Sequence, residues 1–73
     1  NIKEKFNIFF LYPPCADNNY ILNLELIKKY KIFKTKHIVI IHREKKTIDN
    51  FKGTINVLLT KQYGRSKIIF GVF

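Results

Sequence analysis

The sequence predicts a small, mainly β domain, most simply a five-stranded, OB-like barrel. Three observations carry that expectation. Five apolar segments are separated by polar or Pro/Gly punctuation, Leu22, Leu24 and Leu26 alternate strictly with Asn23 and Glu25, and the chain holds a single Ala and no Met. Alternation with a period of two is the strand signature, and a shortage of good helix formers argues against helix. At 73 residues the chain has material for one modest core, so residues 1–73 are expected to form one domain. A five-stranded antiparallel sheet of this size would expose two edges unless it curled closed.

The first strand is expected from Lys5 to Tyr12, where Phe6, Ile8, Phe10 and Tyr12 share one parity, and Pro13-Pro14 end it. The second segment, "YILNLELIKKY", admits two readings. As a helix it would start from a cap between Asp17 and Asn19 and align Tyr20, Leu24 and Ile27, with Asn23 and Lys31 interrupting. The alternation favours strand; the helical alternative is an α+β fold with a helix near residues 19–33. "YKIFKTKHIVIIH", residues 30–42, begins with alternating cation and apolar residue and ends in the β-branched run Ile38 to Ile41, as a long strand would. "REKKTIDNFKG" is polar and closes on Gly53, hence a loop. "TINVLLT" and "KIIFGVF" are two further strands, joined by "KQYGRSK" into a C-terminal hairpin.

Residues for catalysis are scarce. There is one Ser (Ser66), one Cys (Cys15) and two His, and the five acids, Glu4, Asp17, Glu25, Glu44 and Asp49, are scattered. Nucleophilic or acid/base chemistry needs such groups gathered, so no catalytic residue, metal ligand or cofactor is expected. His37 and His42 are five apart, which places them on opposite faces of a strand. A lone Cys excludes an internal disulfide, and the apolar stretch Ile8 to Tyr12 is far too short to span a bilayer. "FNIFFLYPPCA" resembles a signal peptide only faintly, because its apolar region is short. Asn rather than Met stands at position 1, as in a chain lacking its initiator or processed at its start.

Cations interleaved with rings stand out instead. The formal net charge is +9, and an anionic partner would relieve the self-repulsion. One run comprises Lys28, Lys29, Tyr30, Lys31, Phe33, Lys34 and Lys36; another comprises Lys61, Tyr63, Arg65 and Lys67. Ammonium groups tracking phosphates while rings pack on bases is the usual chemistry of single-stranded nucleic acid on β platforms. The first run reads equally as a solvated lysine face with Tyr30 and Phe33 in the core. At the hairpin tip a turn has no core to serve, which favours binding. Ile, Lys, Asn, Phe and Tyr make up more than half of the chain, a bias toward A/T-rich codons. That composition suggests an organellar genome, with a mitochondrial location, or the cytoplasm of an organism with an AT-rich genome.

Taken end to end, the pattern resembles the seventeenth protein of the small ribosomal subunit. "YKIFKTKHIVIIH" is similar to that family's Tyr-to-His segment, with Tyr30, Lys31 and His42 in matching places. "GTINVLLTKQYGRSK" is similar to its Gly-strand-hairpin segment, with Lys61 at the Arg, Arg65 and Lys67 at the two lysines, and Ser66 at the Thr. Arg43, Thr54 and Gln62 depart from the family's Asp, Asp and Pro. "TKQYG" before an apolar strand also resembles the C-terminal hairpin of the third small-subunit protein. The first resemblance implies an OB fold and a structural, non-enzymatic role in a ribosome, with ribosomal RNA and neighbouring ribosomal proteins as partners and neither a membrane nor a small-molecule substrate. RNA contacts are then expected at Lys28, Lys29, Tyr30, Lys31, Lys34, Lys36, His42, Arg43, Lys45, Lys46, Lys61, Tyr63, Arg65 and Lys67. A subunit of a larger organellar protein complex, held by its apolar strands, is the alternative.

Overall fold

Among the described residues, four strands and one helix make up the fold. The computed structural model describes residues 7–14, 16–17 and 19–73. In chain order these are β1 (Asn7–Leu11), α1 (Tyr20–Lys29), β2 (His37–Glu44), β3 (Asn56–Tyr63) and β4 (Ser66–Val72). They form one open, mixed sheet in the order β1-β2-β4-β3. β1 and β2 are parallel, Asn7 opposite His37 and Leu11 opposite Ile41; β4 runs antiparallel to both β2 and β3. The expected closed barrel of five strands is therefore corrected to four strands and a helix. Lys5, Phe6 and Cys15 lie outside the described residues.

The largest correction falls on residues 20–29, which are helical. A parallel pair needs a crossover, and the segment between β1 and β2 supplies it. Tyr20 and Leu24, four apart, meet on one helical face and are buried, while Leu22 and Leu26 are exposed. The alternating leucines thus reflect one buried position flanked by two solvent-facing ones. Ahead of the helix, Asp17 accepts a hydrogen bond from the Asn19 backbone N–H at 2.8 Å.

Residues 30–36, expected as the start of a long strand, instead end the helix and turn the chain toward β2. Lys31 has φ of +52°, and the amides of Lys31 and Ile32 bond the carbonyls of Lys28 and Ile27. That bond pair is a Schellman closure, which normally places glycine at the left-handed position. A side chain there is strained by about 1–2 kcal/mol, partly offset by the entropy a glycine loses on folding. Lys31→Gly should therefore raise unfolding stability by about 0.5–1 kcal/mol, readable in urea titrations followed by circular dichroism. No gain, or a loss, would mean that the Lys31 side chain contributes contacts that outweigh its strain.

α1 packs on one face of the sheet. Tyr20, Leu24, Val39, Ile41, Ile55 and Ile69 form the buried core, with Phe9, Leu11, Ile21, Phe51 and Phe73 against it. Val39 and Ile41 of the β-branched run, with Ile69 of β4, are covered by this layer. Their neighbours Ile8, Phe10, Ile38, Ile40, Phe70 and Leu59 point to the opposite face, as period-two alternation and the register require. β3 carries a bulge: Val57 pairs with Gly71 and Leu59 with Phe70, leaving Leu58 without an opposite number.

Candidate nucleic-acid interface

The parallel strands β1 and β2 both end at one edge of the sheet, and chain reversals gather there. "KQYGRSK" turns more tightly than expected, because β3 runs on to Tyr63 and β4 resumes at Ser66. Gly64 has φ of +56° at the first central position, where a type II′ turn places glycine. Pairing of Glu44 with Ser66 sets this tip beside the end of β2, and the Lys45 backbone N–H bonds the Arg65 carbonyl at 2.6 Å. A cleft of about 1040 Å³ results, lined by Tyr12, Pro13, Pro14, His42, Glu44, Lys45, Lys46, Gly64, Arg65 and Ser66.

Within the cleft, the Tyr12 and His42 rings meet edge-on with centroids 4.2 Å apart, and Tyr12 is 72% exposed. Nδ1 of His42 is buried without a hydrogen-bond partner. Lys45, Lys46 and Arg65 are exposed around this pair of rings; Lys46 lies 3.5 Å from Glu44 in a solvated ion pair. Cations beside a ring with a free face are what an unpaired nucleotide requires: charge for the phosphate, a flat surface for the base.

Beneath the cleft, Arg43 holds the wall in place. Its side chain is 1% exposed, donates Nε and Nη2 to Asp49 at 3.2 and 3.0 Å, and gives Nη1 to the carbonyls of Pro13 and Pro14 at 3.3 and 2.8 Å. The guanidinium also lies over the Tyr20 ring, 5.0 Å from its centroid. Burial alone would raise the Asp49 carboxyl; the hydrogen bonds it accepts, led by that from Arg43, outweigh burial and hold it below the ordinary carboxylate range. Burial first, then the nearby Asp49 carboxylate, pushes Tyr20 well above the usual tyrosine range, although its hydroxyl makes no hydrogen bond of standard geometry.

The expected RNA-binding residues thus separate into two groups. His42, Lys45, Lys46, Tyr63 and Arg65 collect at the cleft end, with Lys61 pointing to the uncovered sheet face nearby. Lys67 is at that end too, but its Nζ donates to the Thr47 carbonyl at 2.6 Å. Arg43 is corrected from a surface contact to a buried tie. Lys28, Lys29, Tyr30, Lys31, Lys34 and Lys36 lie at the other end of the sheet, since α1 runs back down to the start of β2. The eight residues of β2 separate the two ends by about 23 Å, at about 3.3 Å per residue. Lys28 there donates to the Gly53 carbonyl at 2.8 Å, and Lys29 lies 5.5 Å from the Tyr30 ring centroid.

Tyr12, Pro13 and Pro14 were not among the expected contacts, because their sequence signal is that of a strand end and a breaker. Asp49, one acid among five, becomes the partner of Arg43 through a loop with no periodicity to reveal it. Among the described residues no three His, Cys, Asp or Glu gather as metal ligands, and no helix is long and apolar enough to cross a membrane.

Residues 1–72 match the family model described as Conserved hypothetical protein 95, and the chain belongs to that family. No curated protein matches it. Among solved structures it is similar to a conserved hypothetical protein of Streptococcus pyogenes, with 22% identity and a TM-score of 0.76, over 90% of this chain and 42% of that one. The chain thus spans less than half the length of the structure it matches. These findings overturn the resemblance to the seventeenth small-subunit ribosomal protein, and with it the rival hairpin of the third. Both comparisons lead to conserved hypothetical proteins and neither to a ribosomal one, and an open mixed sheet replaces the barrel that the first resemblance implied.

Proposed function

We propose that this chain is a non-catalytic RNA-binding module whose binding surface is the cleft at the carboxyl ends of β1 and β2. The observation that carries this reading is the gathering of Lys45, Lys46 and Arg65 around the exposed Tyr12 ring by the tight turn at Gly64. Ligands of open sheets containing parallel strands bind outside the carboxyl ends of those strands, which is where the cleft opens. Tyr12 takes a base on its exposed face, and the three cations neutralise the flanking phosphates. Two or three nucleotides fill such a site, so single-stranded RNA suits it better than a rigid duplex.

Fluorescence anisotropy with a labelled single-stranded oligoribonucleotide, measured over a series of salt concentrations, tests the proposal. With about three phosphates neutralised, log affinity should fall against log salt with a slope near −2, from about −0.7 per phosphate. Affinity that ignores salt, or that is equal for a blunt duplex, overturns it in favour of a protein-assembly role.

A further inference from the structure

After Glu44 the chain leaves β2 through a loop that the fold holds on both sides of Ile48. The backbone N–H of Thr47 bonds the Glu44 carbonyl at 3.1 Å, its hydroxyl lies 2.7 Å from that carbonyl and 3.1 Å from Oδ2 of Asp49, and its own carbonyl accepts Nζ of Lys67 at 2.6 Å. Asp49 in turn is the buried partner of Arg43. Ile48 stands between these two fixed residues and is 96% exposed, more than any other large apolar residue described. Its side chain packs on nothing in the fold. An exposed aliphatic residue is ordinary by itself, but one that a pinned loop holds outward, clear of its neighbours, is presented to a partner.

We infer that Ile48 is an apolar wedge beside the cleft, which slips between two unpaired bases of the RNA strand that the cleft holds. The inference rests on the RNA-binding reading and adds a subsite to it. Position selects nucleic acid as the occupant. Lys45 and Lys46, which line the cleft, stand just before Ile48 in the chain, and the Cα atoms of Lys46 and Ile48 are at most about 7.6 Å apart, two steps of about 3.8 Å. Charge points the same way. Asp49, the acid next to Ile48, is paired with Arg43, and Glu44 is paired with Lys46, so the surroundings of the wedge repel no phosphate. A strand drawn onto these cations brings its bases against Ile48, and a branched aliphatic side chain can open a base step as apolar wedges do in groove-binding proteins. Such a contact is tolerant of sequence, because every base has a flat face to offer.

Titration with a short, labelled single-stranded oligoadenylate over a series of salt concentrations, followed by anisotropy, separates this contact from the cations. Ile48→Ala should weaken binding about ten-fold, the worth of burying roughly half of the side chain, and should leave the salt slope as in the wild type, because no phosphate contact is removed. The chain contains no Trp, so Ile48→Trp places a single fluorophore at the wedge. Its emission should be quenched as unlabelled oligoadenylate stacks on it, whereas Ile32→Trp, at a position 64% exposed at the opposite end of the sheet, should not respond. Unchanged affinity in Ile48→Ala, an altered salt slope, or quenching no greater than that of Ile32→Trp overturns the wedge and leaves the cleft reading in place. Unchanged affinity is also the result expected of a residue that docks into another protein. If the wild type shows no salt-dependent binding to the oligoadenylate, the cleft reading falls and the wedge falls with it.

Discussion

Replacing Arg43 by methionine should cost about 3–5 kcal/mol, because it strands the Asp49 carboxylate in a site where both side chains are 1% exposed. A domain of this length has a total stability of roughly 4–11 kcal/mol at about 0.05–0.15 per residue, so most of the margin disappears. Urea unfolding monitored by circular dichroism should show the midpoint falling steeply or a chain unfolded from the outset. The carbonyls of Pro13 and Pro14 lose their donor in the same substitution, so the cleft wall loosens with the core. Arg43→Met combined with Asp49→Leu should recover much of the loss, since an apolar pair leaves no buried charge unpaired. A single mutant as stable as the wild type would show that the pair is not buried in solution.

The same pair fixes a pH dependence. The folded state lowers the Asp49 carboxyl, so the folded protein holds the carboxylate more firmly than the unfolded chain does. Its contribution is therefore complete above the unfolded carboxyl value, about 3.9, and is lost as pH falls through the lower folded value. Asp49→Asn should lower stability at neutral pH and flatten its dependence on pH in that acid range.

Reversing two charges at the cleft, Lys45→Glu with Arg65→Glu, should reduce affinity for single-stranded RNA at least about a hundred-fold, taking about 1.5 kcal/mol for each charge-assisted hydrogen bond lost. The salt slope should also become shallower by about 1.5, from about 0.7 for each of two phosphates. Both side chains are exposed, so stability should shift by under about 0.5 kcal/mol. Lys29→Glu with Lys34→Glu, an equal change in net charge at the opposite end, should weaken binding far less. The reverse ranking would move the interface to the far end of the sheet.

Strands and turns were legible where local chemistry decides them. Ile38 to Ile41, the apolar run around Phe9, and the hairpin on either side of Gly64 declare themselves by β-branching, alternation and turn residues. The segment from Tyr20 to Lys29 did not, since Leu22, Leu24 and Leu26 alternate as on a strand. Its helicity comes from the need to cross between parallel strands, a tertiary demand that no short window contains. Closure failed as an expectation for a related reason. The number of exposed edges depends on which strands pair, and β1 pairing parallel to β2 leaves an open sheet. Of the site, Lys45, Lys46, Tyr63 and Arg65 were visible as cations and a ring near a turn. Arg43 carries the same charge, yet meets Asp49 and two proline carbonyls inside the protein, and charge alone cannot tell those environments apart.

The bulge in β3 makes one residue dispensable. Asn56 and Val57 face Val72 and Gly71, while Leu59 through Tyr63 face Phe70 through Ser66, so removing Leu58 joins the two stretches into an uninterrupted ladder with every cross-strand neighbour unchanged. A shortening of the chain by one position is thus absorbed at this point. Anywhere else within β3, such a deletion would turn part of the strand over. What the extra residue contributes is added twist along the hairpin, and hence the direction in which its tip carries Arg65. Relatives that differ in length at this point would therefore keep the same sheet but aim the tip along a different bearing.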